Sequence, residues 1–347
     1  MRFKQPGVTW ALAWMSAAVF AQSGQNCSML TAENAAASAG VANVAHDGSA
    51  LLGIEPPDIS QGFAGIPRSA QPKLSPSQQR ILECTYHLPQ ANADMPYTLF
   101  VPSSYDPAVP TPLVVDLHGF NITPLQQILF DGTTDFAEEF GFIVVAPMGF
   151  SVNDSWGARF AVRPPVPVES AAINPATGAR FSSGELAELD AMTLLGRIRE
   201  QYTIDPERIY LMGHSMGGMG TYHLGAKYSE IWAALAPMAG LGGIADETAA
   251  AQYRSLPMLL IHGEKDSIIP PEVSRRAAMY LQNVGAQHLY LEFPGADHEF
   301  WIRRGADNLR KVFLFFALVS KRHNIGFITP DMAPEVQLGA PPPAARP

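Results

Sequence analysis

Three side chains able to share one reaction stand just beyond apolar runs of this 347-residue chain. The run "RIYLM" leads into Gly213-His214-Ser215-Met216-Gly217, "PMLLI" into "HGEKDSIIPP" with Asp266, and "LYLEF" into "PGADHEFW" with His298. A serine hydroxyl is a weak nucleophile until a base takes its proton, and an imidazole base needs an acid to orient it. Ser, then Asp, then His is one chain order in which that chemistry is built. Gly213 and Gly217 suit a sharp strand-to-helix turn, because neighbours without side chains clear the adjoining elements. The alternative is an ordinary hydroxyl in a glycine-rich loop. The apolar run before Ser215 and the small-residue stretch "MGGMGTYHLGAKY" after it favour the turn. Glu264 and Asp297 compete with Asp266. Glu264 lies only just past its strand, and Asp297 adjoins His298, a poor place from which to hold that imidazole's Nδ1.

Acyl transfer through such a serine also needs two donors aimed at the oxyanion. The backbone N–H of Met216 is one candidate. The loop after "PLVVDL", His118-Gly119-Phe120-Asn121, offers the N–H of Phe120 as the second. Phe120, Met216, Trp156 and Trp301 are candidate substrate contacts, with core packing the competing reading for each. His118 and His214 sit inside the glycine motifs and His223 on the helix after the turn, where a structural role is expected. No metal or cofactor is required by this chemistry.

Elements must position these residues. Strand-like runs occur at "ILECTYHL", "YTLFVP", "PLVVDLHG", "GFIVVAPM", "RIYLMG", "WAALAPMAG", "PMLLIHG" and "HLYLEF". Helical stretches, "TTDFAEEFG", "GELAELDAMTLLGRIREQY", "MGGMGTYHLGAKY", "PEVSRRAAMYLQNVG" and "ADNLRKVFLFFALVSKR", separate the later ones. Leu186, Leu189, Met192, Leu195 and Ile198 predict one apolar helix stripe. Alternating β and α with continuously apolar strands predicts an α/β fold. Its sheet is mostly parallel, of about eight strands, with helices on both faces. The first two runs read as an antiparallel pair at one edge. In open α/β sheets ligands sit at the carboxyl ends of strands, where Ser215, Asp266, His298 and the 118–121 loop all fall.

The chain is 47% hydrophobic and 16% charged, which argues against global disorder. Its formal charge of −9, without a basic block, makes a nucleic-acid or anionic-membrane surface an unlikely use. Residues 1–21, with Arg2 and Lys4 before an apolar stretch and a small–x–small end, read as a signal peptide rather than a membrane anchor. Its removal takes the charge to −11 and leaves no second long apolar segment, so a secreted or periplasmic soluble protein is expected. Residues 22–78 form an Ala/Gly/Pro-rich leader, partly disordered. The catalytic domain spans 79–325 with an irregular insertion at 151–183, and 326–347 is a proline-rich tail. Only Cys27 and Cys84 occur, too far apart in sequence for a metal site. One bridge between them is expected in an oxidising compartment, free thiols being the alternative.

With these residues assembled, the chain resembles the α/β-hydrolase superfamily. Within it, the chain is similar to secreted feruloyl esterase and polyhydroxybutyrate depolymerase-like esterases, and to prolyl-oligopeptidase-type catalytic domains. The segments that carry the likeness are "MPYTLFVPSSYDP", "PTPLVVDLHGF", "IDPERIYLMGHSMGGMGTYHLGAKYSEIWAALAPMAG", "PMLLIHGEKDSIIP" and "GADHEFW". The resemblance implies Ser215 as nucleophile, Asp266 as acid and His298 as base, acting on feruloyl, aryl or short polyester-type esters through an acyl-enzyme. A serine peptidase is the alternative, and an acyltransferase or a non-catalytic binding module on the same scaffold are further ones. The 151–183 insertion, the leader and the tail match no pattern of the family. Oligomeric state stays open.

Overall fold

The apolar runs assemble into one nine-stranded sheet in the computed structural model of the chain, which describes residues 26–30, 74–158, 165–298 and 306–322. The strands are β1 (Asn26–Met29), β2 (Leu82–Leu88), β3 (Ala93–Phe100), β4 (Thr111–Leu117), β5 (Ile143–Ala146), β6 (Ile204–His214), β7 (Ala234–Met238), β8 (Met258–Gly263) and β9 (His288–Phe293). They lie in the order β1-β2-β3-β5-β4-β6-β7-β8-β9. The pairings β1–β2, β2–β3 and β3–β5 are antiparallel, and the six strands from β5 to β9 are parallel. Eight of these strands are the eight apolar runs.

The ninth, β1, comes from the leader, where no apolar pattern announces it. Its Cys27 lies opposite Cys84 of β2, and the two sulfurs are bonded. A four-residue strand with three exposed positions buries little surface of its own. The covalent bond and the buried Leu30 hold it against the antiparallel edge.

Among the described residues, seven α-helices flank the sheet: α1 (Pro124–Ile128), α2 (Thr133–Phe140), α3 (Ser183–Gln201), α4 (Met216–Lys227), α5 (Glu247–Ala251), α6 (Glu272–Asn283) and α7 (Ala306–Leu318). Side chains alternate across a strand, so each strand feeds two cores. Leu113, Val115, Leu117, Leu211, Leu235 and Leu260 meet α3, α4 and α6 on one face. Val114, Val144, Tyr210, Met212, Leu259 and Ile261 meet α1, α2 and α7 on the other. The continuous apolar strands thus reflect helices on both sides.

The stripe expected on α3 packs on the sheet, and the buried face is broader than a spacing of three gives. Leu186, Ala187, Asp190, Ala191, Leu194, Leu195 and Ile198 are buried, whereas Leu189 and Met192 are only partly so. A strict spacing of three drifts around a helix of 3.6 residues per turn, so the buried face runs in two neighbouring rows at a spacing of four, with Leu189 and Met192 at its margin. A capping box between Ser182 and Glu185 starts this helix. Glu188, on its other side, receives His223 Nε2 at 2.9 Å, Lys227 Nζ at 2.5 Å and the Tyr228 hydroxyl at 2.5 Å, pinning α3 to α4.

The 151–183 insertion is structured where it is described. A 3-10 turn spans Ser155–Gly157, and bridges join Pro167 to Ser182 and Ile173 to Arg180. The expected signal peptide, most of the leader, the tail and Trp301 lie outside the described residues. Among the described residues, no helix is long and apolar enough to cross a membrane.

Two stability outcomes follow from these contacts. Replacing Cys27 and Cys84 by alanine, which opens a loop with a sequence separation of 57, should lower unfolding free energy by about 2–4 kcal/mol in urea titrations under non-reducing conditions. Burial opposes the charge on Glu188, but the hydrogen bonds from His223, Lys227 and Tyr228 outweigh it and hold its carboxyl at about 2. Its contribution is therefore complete above the ordinary value of 4.5 and fades as pH falls toward 2. Glu188→Gln should be less stable than wild type at neutral pH, and the two urea midpoints should converge as pH falls through that window.

Candidate active site

Ser215 occupies the junction between β6 and α4 with φ 56° and ψ −115°. A non-glycine residue held there carries roughly 1–3 kcal/mol of backbone strain, which the surroundings must overcome. Ser215 N–H donates to Met238 O at the end of β7 (2.8 Å), and its carbonyl accepts the Met219 N–H of α4 (3.0 Å). Gly217 makes the junction sterically feasible, since a Cβ there would lie 1.9 Å from Leu117 O at the end of β4. The first turn of α4 is thereby pressed against the loop that carries Gly119 and Phe120.

Ser215, Asp266 and His298 come together from three separate strand-end loops. His298 Nε2 lies 2.9 Å from Ser215 Oγ, and His298 Nδ1 lies 2.6 Å from Asp266 Oδ2. The consistent assignment is an Nδ1–H donated to the carboxylate, with Nε2 accepting the serine hydroxyl. Asp266 Oδ1 accepts the N–H groups of Ile268 (2.9 Å) and Ile269 (2.8 Å). Burial opposes ionisation of Asp266. The hydrogen bonds from His262, His298 and the Ile269 N–H prevail and hold its carboxyl well below the usual carboxylate range.

The rival acids have other surroundings. Glu264 accepts the Gly295 N–H at 2.7 Å and so braces the turn before His298. Asp297 is exposed, and the imidazole beside it turns to Asp266 instead.

The loop after β4 supplies a second group of backbone donors near the serine. Among the described residues, neither the Phe120 nor the Met216 N–H has a backbone acceptor. His118 is fully buried, with Nδ1 at 2.8 Å from Gly119 O and Nε2 at 2.7 Å from Met148 O, so its ring buckles this loop to the one after β5. Burial lowers its pKa, and the neutral ring donates to one of these carbonyls at a time.

Trp156, a candidate substrate contact, is corrected to a packing residue. It is 1% exposed and donates its indole N–H to His118 O at 3.2 Å. A Cβ at Gly220 of α4 would fall 2.5 Å from its ring. Phe120 stays partly exposed beside the serine, and Met216 is buried. Leu241 (39% exposed) and Ile268 (54%) are exposed apolar residues of the loops after β7 and β8.

Two histidines outside the expected set touch these residues. His214 donates Nε2–H to the His298 carbonyl at 2.9 Å. Burial first, and then the neighbouring His298 ring, push its pKa well below the ordinary histidine value. His262 lies 3.1 Å from Asp266 Oδ2 through Nε2 and bonds Ser274 Oγ at 2.7 Å through Nδ1. The sequence contains a weak signal for it, a histidine four residues before the acid across a strand-end turn. Among the described residues, no group of three or more His, Cys, Asp or Glu could hold a metal ion.

Residues 124–320, more than half of the chain, match the PET hydrolase-like family. A bifunctional acetylxylan esterase/xylanase of Neocallimastix patriciarum is 28% identical over 49% of this chain and 21% of its own length. Feruloyl esterase B of Neurospora crassa is 26% identical over 37% of this chain and 39% of its own. The chain thus spans well under half of either relative. A thermostable esterase of known crystal structure superposes with a TM-score of 0.52 at 25% identity, over 70% of this chain and 63% of that one. With strand order, helical layers and family match in agreement, the chain has the α/β-hydrolase fold and belongs to the PET hydrolase-like family.

Proposed function

We propose that the protein is an exported serine hydrolase of carboxylic esters, with Ser215 as nucleophile, His298 as base and Asp266 as acid. The observation that carries this reading is the continuous chain Asp266 Oδ2–His298 Nδ1 and His298 Nε2–Ser215 Oγ, at 2.6 and 2.9 Å. Ser215 Oγ attacks the ester carbonyl carbon while its proton passes to His298 Nε2. Asp266 stays ionised beside the resulting imidazolium and stabilises it. The N–H groups of Met216 and Phe120 take the developing oxyanion, since both belong to segments in contact at the mouth of the site. Collapse of the tetrahedral intermediate expels the alcohol, which leaves with the proton from Nε2. Water, deprotonated by His298, then attacks the acyl-enzyme and frees Ser215 and the acid.

The substrate class follows from the rim and from the relatives. Feruloyl and acetylxylan esterases are named for esters carried on plant polysaccharide, and the family for a polyester. Partly exposed Phe120 and exposed Leu241 and Ile268, each on a loop at the carboxyl end of a strand, are the apolar side chains available to an aryl, feruloyl or short polyester acyl group. The Cys27–Cys84 bridge supports export to an oxidising compartment.

Ser215→Ala should lower kcat on aryl and feruloyl esters by about 10⁴-fold or more and abolish fluorophosphonate labelling, with the circular dichroism spectrum unchanged. Ordinary ester turnover by that variant would overturn the assignment. In wild type, kcat/KM should rise with pH, because a histidine base works only in its neutral form. Because Asp266 is held ionised well below the usual carboxylate range, the acid limb should have the slope of one proton. A flat profile from about pH 5 to 8 would count against a histidine base.

A further inference from the structure

His262 is the last polar side chain of β8, four residues before Asp266, and its imidazole is fully buried. The chain turns back between them, with Asp266 N–H donating to Gly263 O at 3.2 Å. This brings the His262 Nε2 edge to two oxygens at once, Ile269 O at 2.8 Å and Asp266 Oδ2 at 3.1 Å. A lone pair on Nε2 would face both acceptors, so Nε2 carries hydrogen. In the neutral ring Nδ1 is then an acceptor, and the Ser274 hydroxyl on α6, itself buried, donates to it at 2.7 Å.

We propose that His262 is a positioning residue for the acid of the triad: its Nε2–H, fixed in that tautomer by Ser274, holds the Asp266 carboxylate on the line to His298. The proposal rests on the reading of Ser215, His298 and Asp266 as a triad and adds the group that aims its acid. Asp266 Oδ1 is tied to two backbone N–H groups, and Oδ2 lies 2.6 Å from His298 Nδ1 and 3.1 Å from His262 Nε2, whose hydrogen also faces Ile269 O at 2.8 Å. Two backbone donors and two imidazole edges around one carboxylate fix its plane, and that plane sets the direction in which His298 Nδ1 is held. The other titratable groups facing this pair are His298, His214 from β6, and Glu292 from β9, which Arg275 of α6 engages through two nitrogens. His298 already occupies Oδ2 through its own Nδ1, His214 donates to the His298 carbonyl, and the Glu292 carboxylate has no hydrogen to give, so none substitutes for His262. A purely structural His262 would brace the loop through Ile269 O alone and leave the carboxylate's chemistry untouched.

Variants at 262 and 274 separate these roles, read by kcat, KM and the pH dependence of kcat/KM on an aryl ester. His262→Leu should lower kcat about 10²-fold with KM nearly unchanged. Its acid limb should steepen from one proton toward two, because Asp266 loses a donor that keeps its carboxyl ionised. His262→Gln keeps an amide N–H near the Nε2 position and should retain the one-proton limb and most of kcat. Ser274→Ala leaves the ring in place without its tautomer partner and should lower kcat severalfold with partial steepening. Wild-type kcat and a one-proton limb in His262→Leu would overturn the proposal, as would His262→Gln being as impaired as His262→Leu. Should His262→Leu fail to fold, Ser274→Ala decides by the same two readouts. Asp266→Asn is run alongside. Full turnover in it removes the triad reading and this proposal together, whereas lost turnover beside a wild-type-like His262→Leu removes this proposal alone.

Discussion

The contact between the start of α4 and the end of β4 governs the geometry of this molecule. At Gly217 the helix backbone approaches Leu117 O so closely that even a methyl group has no room. That approach lets β6 turn directly into α4, puts Ser215 into a backbone conformation it would not choose, and brings the 118–120 loop against the serine. The strain is countered by ordinary groups. The Met238 carbonyl on β7 takes the Ser215 N–H, and the first helical hydrogen bond takes its C=O. A side chain on such a turn is aimed by the backbone and does not wander among rotamers, which suits a nucleophile.

Charge is placed with equal economy. Asp266 is the ionised group at the centre of the site, and histidines and backbone N–H groups surround it. Burial alone would favour its protonated form; the His262 and His298 rings and the Ile269 N–H reverse that preference. The ring of His214 is driven to the neutral form by burial, which leaves it free to donate to the His298 carbonyl without adding a second positive charge beside the imidazolium of the proposed mechanism.

Support for the rim comes from the far side of α4. Trp156 wedges between Gly220 and the His118 ring, and its N–H closes on the His118 carbonyl. Glu188 gathers three donors from α4 and the residue after it. The insertion therefore packs into the wall behind the loop of candidate oxyanion donors, and the indole that a sequence reading offers to substrate is part of that wall.

The sequence by itself determined most of the scaffold. Eight continuous apolar runs, the long helices between them and the carboxyl-end placement of Ser215, Asp266 and His298 are legible because each depends on local pattern and on the rule that strands buried on both faces are apolar throughout. The glycines at 213 and 217 carry their own steric explanation. Tertiary structure decided what depends on a partner distant in the chain. β1 has no apolar signature, because Cys84 and the sheet edge, and not its own side chains, hold it in place. Trp156 reads alike as pocket or core until Gly220 and His118 are seen on either side of it. The buried face of α3 also holds Asp190, a charged residue bonded to Tyr86 and the Gly149 N–H, which no apolar pattern announces. Nor does the letter pattern tell a histidine that only fills space from one that bonds the acid. For His262 that difference is set by a turn of four residues and a serine on another helix, distances that exist only once the chain has closed on itself.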